Sequence, residues 1–405
     1  MREPFLFPSG PLRSDYQSHA AELLANHPER FSSDVSGQWR SAVRDGDARL
    51  DVGVCEIGSE EPHPRLVFDG WQRAPGPGRA DGRDVRPAGG RDTDGAPRFD
   101  QPVPSGGYLW WYVDALSDDG AFGLTIIAFV GSVFSPYYYW ALQKNPAASP
   151  EDHCAINVAL YGRGIRRWTM TERGQRHVSR DSRNFQVGPS HLRWTGAHLE
   201  IQINEWSAPI PRPVRGVIRV IPDRLFAFTT ALDDEHLHHW GPLAPSARVE
   251  VALESPNCSW QGHAYLDSNE GASPIADGFT EWDWSRANLS DGSVAVLYDI
   301  RQRQGPDRLL ALRFGRDGQV IPFDAPARQS LPMAMWRVGR SVRSESARPA
   351  RVMQTLEDTP FYVRSVLESG LCGEQVISMH ETLNVPRLNT AMTRLMLPWK
   401  MPRLK

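Results

Sequence analysis

"FGLTIIAFVGSVFSPYYYWAL", residues 122–142, carries no charge and is long enough to cross a bilayer as a helix. Gly131 and Pro136 interrupt it, however, and β-branched and aromatic residues dominate. The stretch is therefore expected to form two buried strands around a turn. With that reading the surrounding chain becomes consistently β. "GYLWWYVDAL" (107–116) precedes it, and "HCAINVALYG" (153–162), "FQVGPSHLRWTGAHLEIQINEW" (185–206), "VRGVIRVIP" (214–222), "LFAFTTAL" (225–232) and "ARVEVAL" (247–253) follow at strand-and-turn spacing. A second series runs through "GSVAVLYDIR" (292–301), "RLLALRFGRDGQVIPF" (308–323), "ARVMQTL" (350–356), "FYVRSVLES" (361–369) and "GEQVISMHETL" (373–383). Strand series without intervening helices imply antiparallel barrels or sandwiches, here two, meeting near residues 268–280.

The chain has 405 residues, enough for about two domains with real cores. Its net charge of -3 argues against a nucleic-acid binder, which needs clustered Lys and Arg. Cys55, Cys154, Cys258 and Cys372 are widely separated, so neither a zinc knuckle nor a disulfide framework is expected, and a reduced compartment fits. The start, "MREPFLFPSG", lacks the apolar core of a secretory signal.

"DYQSHAAELLAN" (15–26) has a helical pattern, within an N-terminal extension of unknown role spanning 1–72. Residues 73–104 are rich in Pro, Gly, Arg and Asp and read as a flexible linker. The two β units then occupy 105–272 and 273–405. Their junction is a common place for a ligand cleft.

"GHAYLDSNEG" (262–271) lies beside that junction. On a strand His263, Tyr265, Asp267 and Asn269 share one face, which puts a carboxyl among aromatic residues. The bland alternative is an Asx-turn at Asp267. "HLHHW" (236–240) places His236, His238 and Trp240 on one face. The His-x-His pair invites a metal, but no complete ligand set accompanies it, and the reading adopted is no metal. "YLWWYVDAL" groups Tyr108, Trp110, Tyr112 and Asp114, with Trp111 opposite, and "EWDWS" (281–285) groups Trp282 with Trp284. Such stripes serve either a core or a binding surface. Nucleotide and phosphate fingerprints are absent, so no nucleotide cofactor is expected.

"GGYLWWYVDALSDDGAFGLTIIAFVGSVFSPYYYWA" (106–141), "EDHCAINVALYG" (151–162), "AYLDSNEG" (264–271) and "MHETLNVPRLNTAMTRLMLPWKMPR" (379–403) together resemble the carotenoid 1,2-hydratases, also called hydroxyneurosporene synthases. The resemblance spans roughly 102–405. It implies an all-β chain of two consecutive lipocalin-like β-barrel domains. It further implies a cofactor-independent hydro-lyase of a photosynthetic bacterium, adding water to the terminal C1–C2 double bond of acyclic carotenoids such as neurosporene and lycopene. The family's functional motifs fall on His238, Trp240, Tyr265 and Asp267. Leu266 stands where the family often has His, on the face turned away from Asp267.

Hydrating an isolated trisubstituted alkene requires a proton on C2, a tertiary cation at C1, and water on that carbon. An acid can donate near neutral pH only if an apolar enclosure keeps it protonated, which explains Asp267 among aromatics. Trp240 and Tyr265 can offer their faces to the cation, and His238 can orient and deprotonate the water. Trp110, Trp111, Tyr138, Trp140 and Trp282 are candidates for the substrate tunnel. A substrate dissolved in lipid implies peripheral association with a membrane surface, at the cytoplasmic side of the inner or intracytoplasmic membrane. The tail "MTRLMLPWKMPRLK" (392–405), with Arg394, Lys400, Arg403 and Lys405 among Leu, Met and Trp, reads as an interfacial segment or as a terminal strand with a basic end. A polyene cyclase or isomerase on the same scaffold and a non-catalytic carotenoid carrier are the competing functions.

Overall fold

The computed structural model describes residues 89–404, together with the backbone of two short antiparallel strands, Phe31–Ser33 and Trp39–Ser41. The helix expected over 15–26, and the part of the expected linker before Gly89, lie outside the described residues. Gly82–Lys405 forms one compact unit, which contains everything described below.

Two large antiparallel sheets, curled into half-barrels, dominate this unit, alongside two two-stranded pairings. The first has at its centre the long strands His238–Ser255 and Asn257–Gly271. Beyond Asn257–Gly271 lie, in order, Tyr108–Ser117, Phe122–Val130, Ala155–Gly162 and Arg167–Met170. On the other flank lie Pro213–Pro222, Leu199–Trp206, Ser190–Trp194, Asn184–Val187 and Val178–Arg180. The second sheet runs Val320–Pro322, Arg308–Phe314, Val294–Gln302, Phe279–Asn288, Glu374–Asn384, Tyr362–Leu371, Arg351–Asp358. The chain passes between the sheets within Ala272–Gly278.

Period-two patterning positions the interior. Leu199–Trp206 alternates buried and exposed along most of its length, as a strand with one face in water must. Tyr108–Ser117 is instead buried on both faces. Leu109, Trp111, Val113 and Ala115 enter the core inside the first sheet, while Tyr108, Trp110 and Tyr112 enter a second core shared with Trp282, Trp284, Val296 and Tyr298. The second sheet thus covers the outer face of the first, and the contact between them is largely aromatic.

The same switch occurs within Asn257–Gly271. Asn257, Ser259, Gln261 and His263 are exposed, whereas Tyr265, Asp267 and Asn269, two-residue steps further along the same face, are buried. Alternation holds throughout; only what covers the face changes.

Three expectations are corrected. Phe122–Val130 is a strand, but Pro136–Lys144 is an α-helix. Gly131 makes the turn with φ +70, and the Ser135 hydroxyl accepts the amides of Tyr137 and Tyr138 at 3.0 Å. Ser before Pro is an N-cap followed by N1, a helix start that outweighs β propensity in the aromatic run. Residues from Gly89 onward are no linker: Arg91 and Phe99 are buried, and Phe99 packs edge-on against Trp111 at 4.7 Å. Composition misses this because two residues anchor the segment while its neighbours remain polar. Lastly, His236 does not share a strand face with His238. It lies in the turn before the strand, exposed, with φ +57.

The tail includes the short strand expected at its end. It forms the helix Ala391–Met396 and a short strand, Arg403–Leu404, parallel to Glu172–Arg173. Its arginines serve the fold: Arg394 is buried over the Tyr139 ring at 4.4 Å, and Arg403 pairs with Glu172. The apolar Met392, Leu395, Met396 and Trp399 face outward.

Candidate active site

Asp267 lies where the central pair of strands departs from regular pairing. Pro242 and Pro245 fall inside His238–Ser255, and the register with Asn257–Gly271 shifts between Pro242 and Ala244 and again between Ala244 and Ala247. Proline cannot donate to a ladder, so central strands accommodate it at bulges. Asp267 pairs opposite Pro242 on one side and Tyr112 on the other. The carbonyls of this irregular stretch are taken up by the buried Arg91 guanidinium, which donates to Gly241 O at 2.5 Å, Pro242 O at 3.3 Å, Phe228 O, and the Ser268 hydroxyl at 2.8 Å. Burial lowers the Arg91 pKa to about 10, and the Asp267 charge opposes that shift.

The Asp267 carboxyl is 3% exposed. Its Oδ2 accepts the Trp240 indole N–H and the Tyr265 hydroxyl, both at 2.9 Å, while Oδ1 has only the Asn269 amide, at 3.4 Å. Burial disfavours the anion and pushes the pKa up to about 7; the Trp240 and Tyr265 hydrogen bonds act against this without overcoming it. Trp240 itself is held edge-on to Tyr298 at 5.6 Å.

Asp267 opens onto a cavity of about 350 Å³ between the sheets, within the usual range of small-molecule sites, about 300–1,000 Å³. Trp110, Tyr112, Trp240, Trp282, Trp284 and Tyr298 form its aromatic wall, and Asn269 and Glu381 are among its polar groups. The mouth is bordered by Trp336, Met396, Trp399 and Lys400.

Of the residues singled out from sequence, Asp267, Trp240, Trp110 and Trp282 line this cavity. Tyr265 stands behind Asp267, fully buried, with the Arg286 guanidinium 5.7 Å from its ring centre. It donates a hydrogen bond and is not among the lining residues. His238 is also buried outside the lining, with Nδ1 2.9 Å from the Tyr108 hydroxyl and Nε2 3.3 Å from the Ser273 hydroxyl. Burial lowers its pKa. A Cβ on Gly271 or Gly278 would come within 2.6 or 2.7 Å of its ring nitrogens, so these glycines make room for the imidazole.

Trp111, Tyr138 and Trp140 do not line the cavity. Trp111 faces the inner core and donates to Gly90 O at 2.8 Å, as alternation with Trp110 requires. Tyr138 and Trp140 ride on the helix: Tyr138 donates to Gly107 O at 2.9 Å and stacks on His153, and Trp140 packs on Tyr137. Among the described residues, no group of three or more His, Cys, Asp or Glu is arranged to hold a metal ion.

Sequence reading missed the charged layer beneath the cavity. Asp114, from the first sheet, is fully buried; Arg286 Nε donates to its Oδ1 at 2.9 Å and Arg364 to its Oδ2 at 3.1 Å, both from the second sheet. Arg364 also pairs with Glu381, and the Tyr112 hydroxyl donates to the same Glu381 oxygen. Tyr112 and Trp284 were legible as same-face partners of Trp110 and Trp282. Nothing local in sequence links Tyr112 to Glu381.

The family model for "Carotenoid hydratase CrtC" matches residues 126–405. An acyclic carotenoid 1,2-hydratase of Rubrivivax gelatinosus is 59% identical over 370 residues, covering 91% of each chain. That of Thiocapsa roseopersicina is 45% identical over the full length of both chains, and that of Cereibacter sphaeroides 36% identical over 69% of this chain and 98% of its own. The likeness to the Thiocapsa relative therefore extends through residues 1–101, beyond the span read from sequence. A solved AttH structure from Nitrosomonas europaea is 14% identical with a TM-score of 0.50, over 68% of this chain and 92% of that one, in line with a lipocalin-like fold.

Proposed function

The chain belongs to the carotenoid hydratase family and hydrates acyclic carotenoids, and from that premise we propose that Asp267 is the acid that starts the addition. The observation that carries this reading is a carboxyl with a pKa near 7, walled by aromatics and held by two neutral donors on one oxygen. In the neutral acid the oxygen that accepts both hydrogen bonds is the carbonyl oxygen, which puts the acid proton on Oδ1. From there it passes to C2 of the substrate, and the π electrons form the new C–H bond. The tertiary cation left at C1 is flanked by Trp110, Trp240, Trp282 and Trp284, whose faces each contribute about 0.5 to 2 kcal/mol where water is excluded. An enzyme must remove about 8 kcal/mol or more of the barrier, so holding alkene, acid and water together supplies much of the remainder. Water then forms the C1–O bond and gives up a proton.

Tyr265 and His238 serve as positioning residues in this scheme. Tyr265 fixes the rotamer of Asp267, and His238 ties Tyr108, whose ring stacks on Trp110 at 4.9 Å, to the junction between the sheets. Incubation with lycopene in ¹⁸O-labelled water tests the reading: labelled oxygen in the product is expected. An isomeric product without oxygen would make the protein a cyclase or isomerase, and binding without conversion a carrier.

The substrate reaches the cavity from lipid. Among the described residues no helix is long and apolar enough to span a membrane. The cavity mouth nonetheless carries Trp399, 80% exposed, close in sequence to the exposed Met392, Leu395 and Met396, and an exposed apolar rim of this kind suits peripheral docking on a bilayer. Deleting the tail would remove Arg394 and Arg403 from the fold, so point changes are the sharper test. Met392→Ser with Leu395→Ser, both exposed and neither lining the cavity, is expected to reduce flotation with phospholipid vesicles at least fivefold while hydration of detergent-dissolved substrate persists. Unchanged flotation would remove this rim as the docking surface.

A further inference from the structure

We propose that Glu381 is the base that receives the proton from the attacking water. The proposal rests on the reading of Asp267 as the acid and completes it. Donating a proton to C2 leaves Asp267 as an anion, and a second group must take the proton that water loses when it bonds to C1.

Four carboxyl residues line the cavity, Asp267 from the first sheet and Glu357, Asp358 and Glu381 from the second; Tyr112 links Asp267 to Glu381, and the surroundings of these two are opposite in kind. Among the described residues, Asp267 meets only neutral donors at hydrogen-bond distance. Glu381 is held directly by the Arg364 guanidinium and by the Tyr112 hydroxyl, so a cation faces its charge. Paired carboxyls whose environments differ in this way divide into acid and base.

Position agrees with that division. Tyr112 is the cross-strand neighbour of Asp267, so the hydroxyl that holds Glu381 comes from the strand beside the acid. Burial raises the pKa of Glu381 as it does that of Asp267, but here the Arg364 guanidinium and the Tyr112 hydroxyl oppose the shift, and negative charge on Glu381 in turn contributes to keeping Asp267 protonated. Its side chain is 12% exposed, enough to meet water in the cavity. His238, the group that sequence offered for this role, has both ring nitrogens engaged outside the cavity wall.

The balance closes. The acid proton goes to C2, the alkene π pair becomes the C–H bond, a water lone pair becomes the C1–O bond, and one water proton moves to Glu381. Returning that proton from Glu381 to Asp267 through cavity water restores the resting state, with no oxidant, reductant or metal consumed.

The experiment uses the full chain with lycopene in D2O and reads two quantities, hydration and deuterium at C2 of recovered substrate. Deuterium appears there whenever protonation occurs and the cation then returns its original proton. Glu381→Gln is expected to lower hydration by about 10²-fold or more, the scale of a lost general base, while C2 exchange continues. Asp267→Asn is expected to lose both. Persistent exchange in Asp267→Asn would overturn the acid assignment, a failure separate from that of Glu381. Glu381→Gln hydrating within threefold of wild type, or losing hydration and exchange in equal proportion, would overturn the proposal. Glu381→Asp, which keeps a carboxylate for Arg364, covers the case in which the Gln variant folds poorly: hydration should fall while exchange holds, and equal losses would again refute the role.

Discussion

Asp267→Asn is expected to lower carotenoid hydration by at least 10³-fold and, at pH 8, to make the protein more stable. The first effect follows from the chemistry. The amide can accept from Trp240 and Tyr265 as the acid does but has no proton acidic enough for an isolated alkene.

The second effect follows from linkage. The folded chain holds the Asp267 proton up to about pH 7, whereas an unfolded Asp releases it near 3.8. With a raised folded pKa, the folded state binds more protons between these values. This group's favourable share of stability is therefore complete below about pH 4 and is lost as pH rises through about 7. A displacement of that size corresponds to about 4 kcal/mol on the alkaline side. Asn carries no such penalty, so chemical denaturation at pH 8 should find the variant more stable by up to that amount, with the difference shrinking toward pH 5. A variant equally stable at both pH values, or one that still hydrates, would contradict the assignment. Activity of the wild type should fall as pH rises through about 7, because the acid is then ionised.

The largest expected loss of stability comes from Asp114→Ala. Asp114 is fully buried and bridges the sheets through Arg286 and Arg364. Removing it strands Arg286, which is 4% exposed and pairs with no other carboxylate among the described residues, while Arg364 retains Glu381. Breaking one side of a buried ion pair costs about 3–5 kcal/mol, far more than an exposed pair contributes. Urea unfolding should show that loss. Asp114→Ala combined with Arg286→Met, which removes the stranded charge as well, should recover part of it. A single variant within 1 kcal/mol of wild type would mean that aromatic packing, not this ion cluster, joins the sheets. Activity should also decline in the single variant, because Arg286 packs on the ring of Tyr265 and Tyr265 holds Asp267.

The legible and illegible parts of this molecule divide along one physical line. Alternation is local, so Tyr265 beside Asp267, Trp240 in its strand, and Trp110 opposed to Trp111 are all readable once a strand is recognised. Capping is local too: Ser135 and Pro136 announced a helix, but the aromatic run that follows argued for a strand, and with it Tyr138 and Trp140 went to the wrong place. The cost of burying a charge is not local. Arg91, Asp114, Arg286, Arg364 and Glu381 are scattered over nearly three hundred residues and acquire meaning only when the sheets meet. A buried arginine in a Pro- and Gly-rich segment has the same sequence signature as a solvated one.

The central claim is that Asp267 is a neutral acid at working pH, and its side-chain carboxyl can be titrated directly. Carbon-13 NMR of protein labelled at the Asp side-chain carboxyl, with the resonance assigned by its absence in Asp267→Asn, should show a midpoint near 7. A midpoint in the ordinary carboxylate range, about 4, would leave the site without an acid and contradict the account.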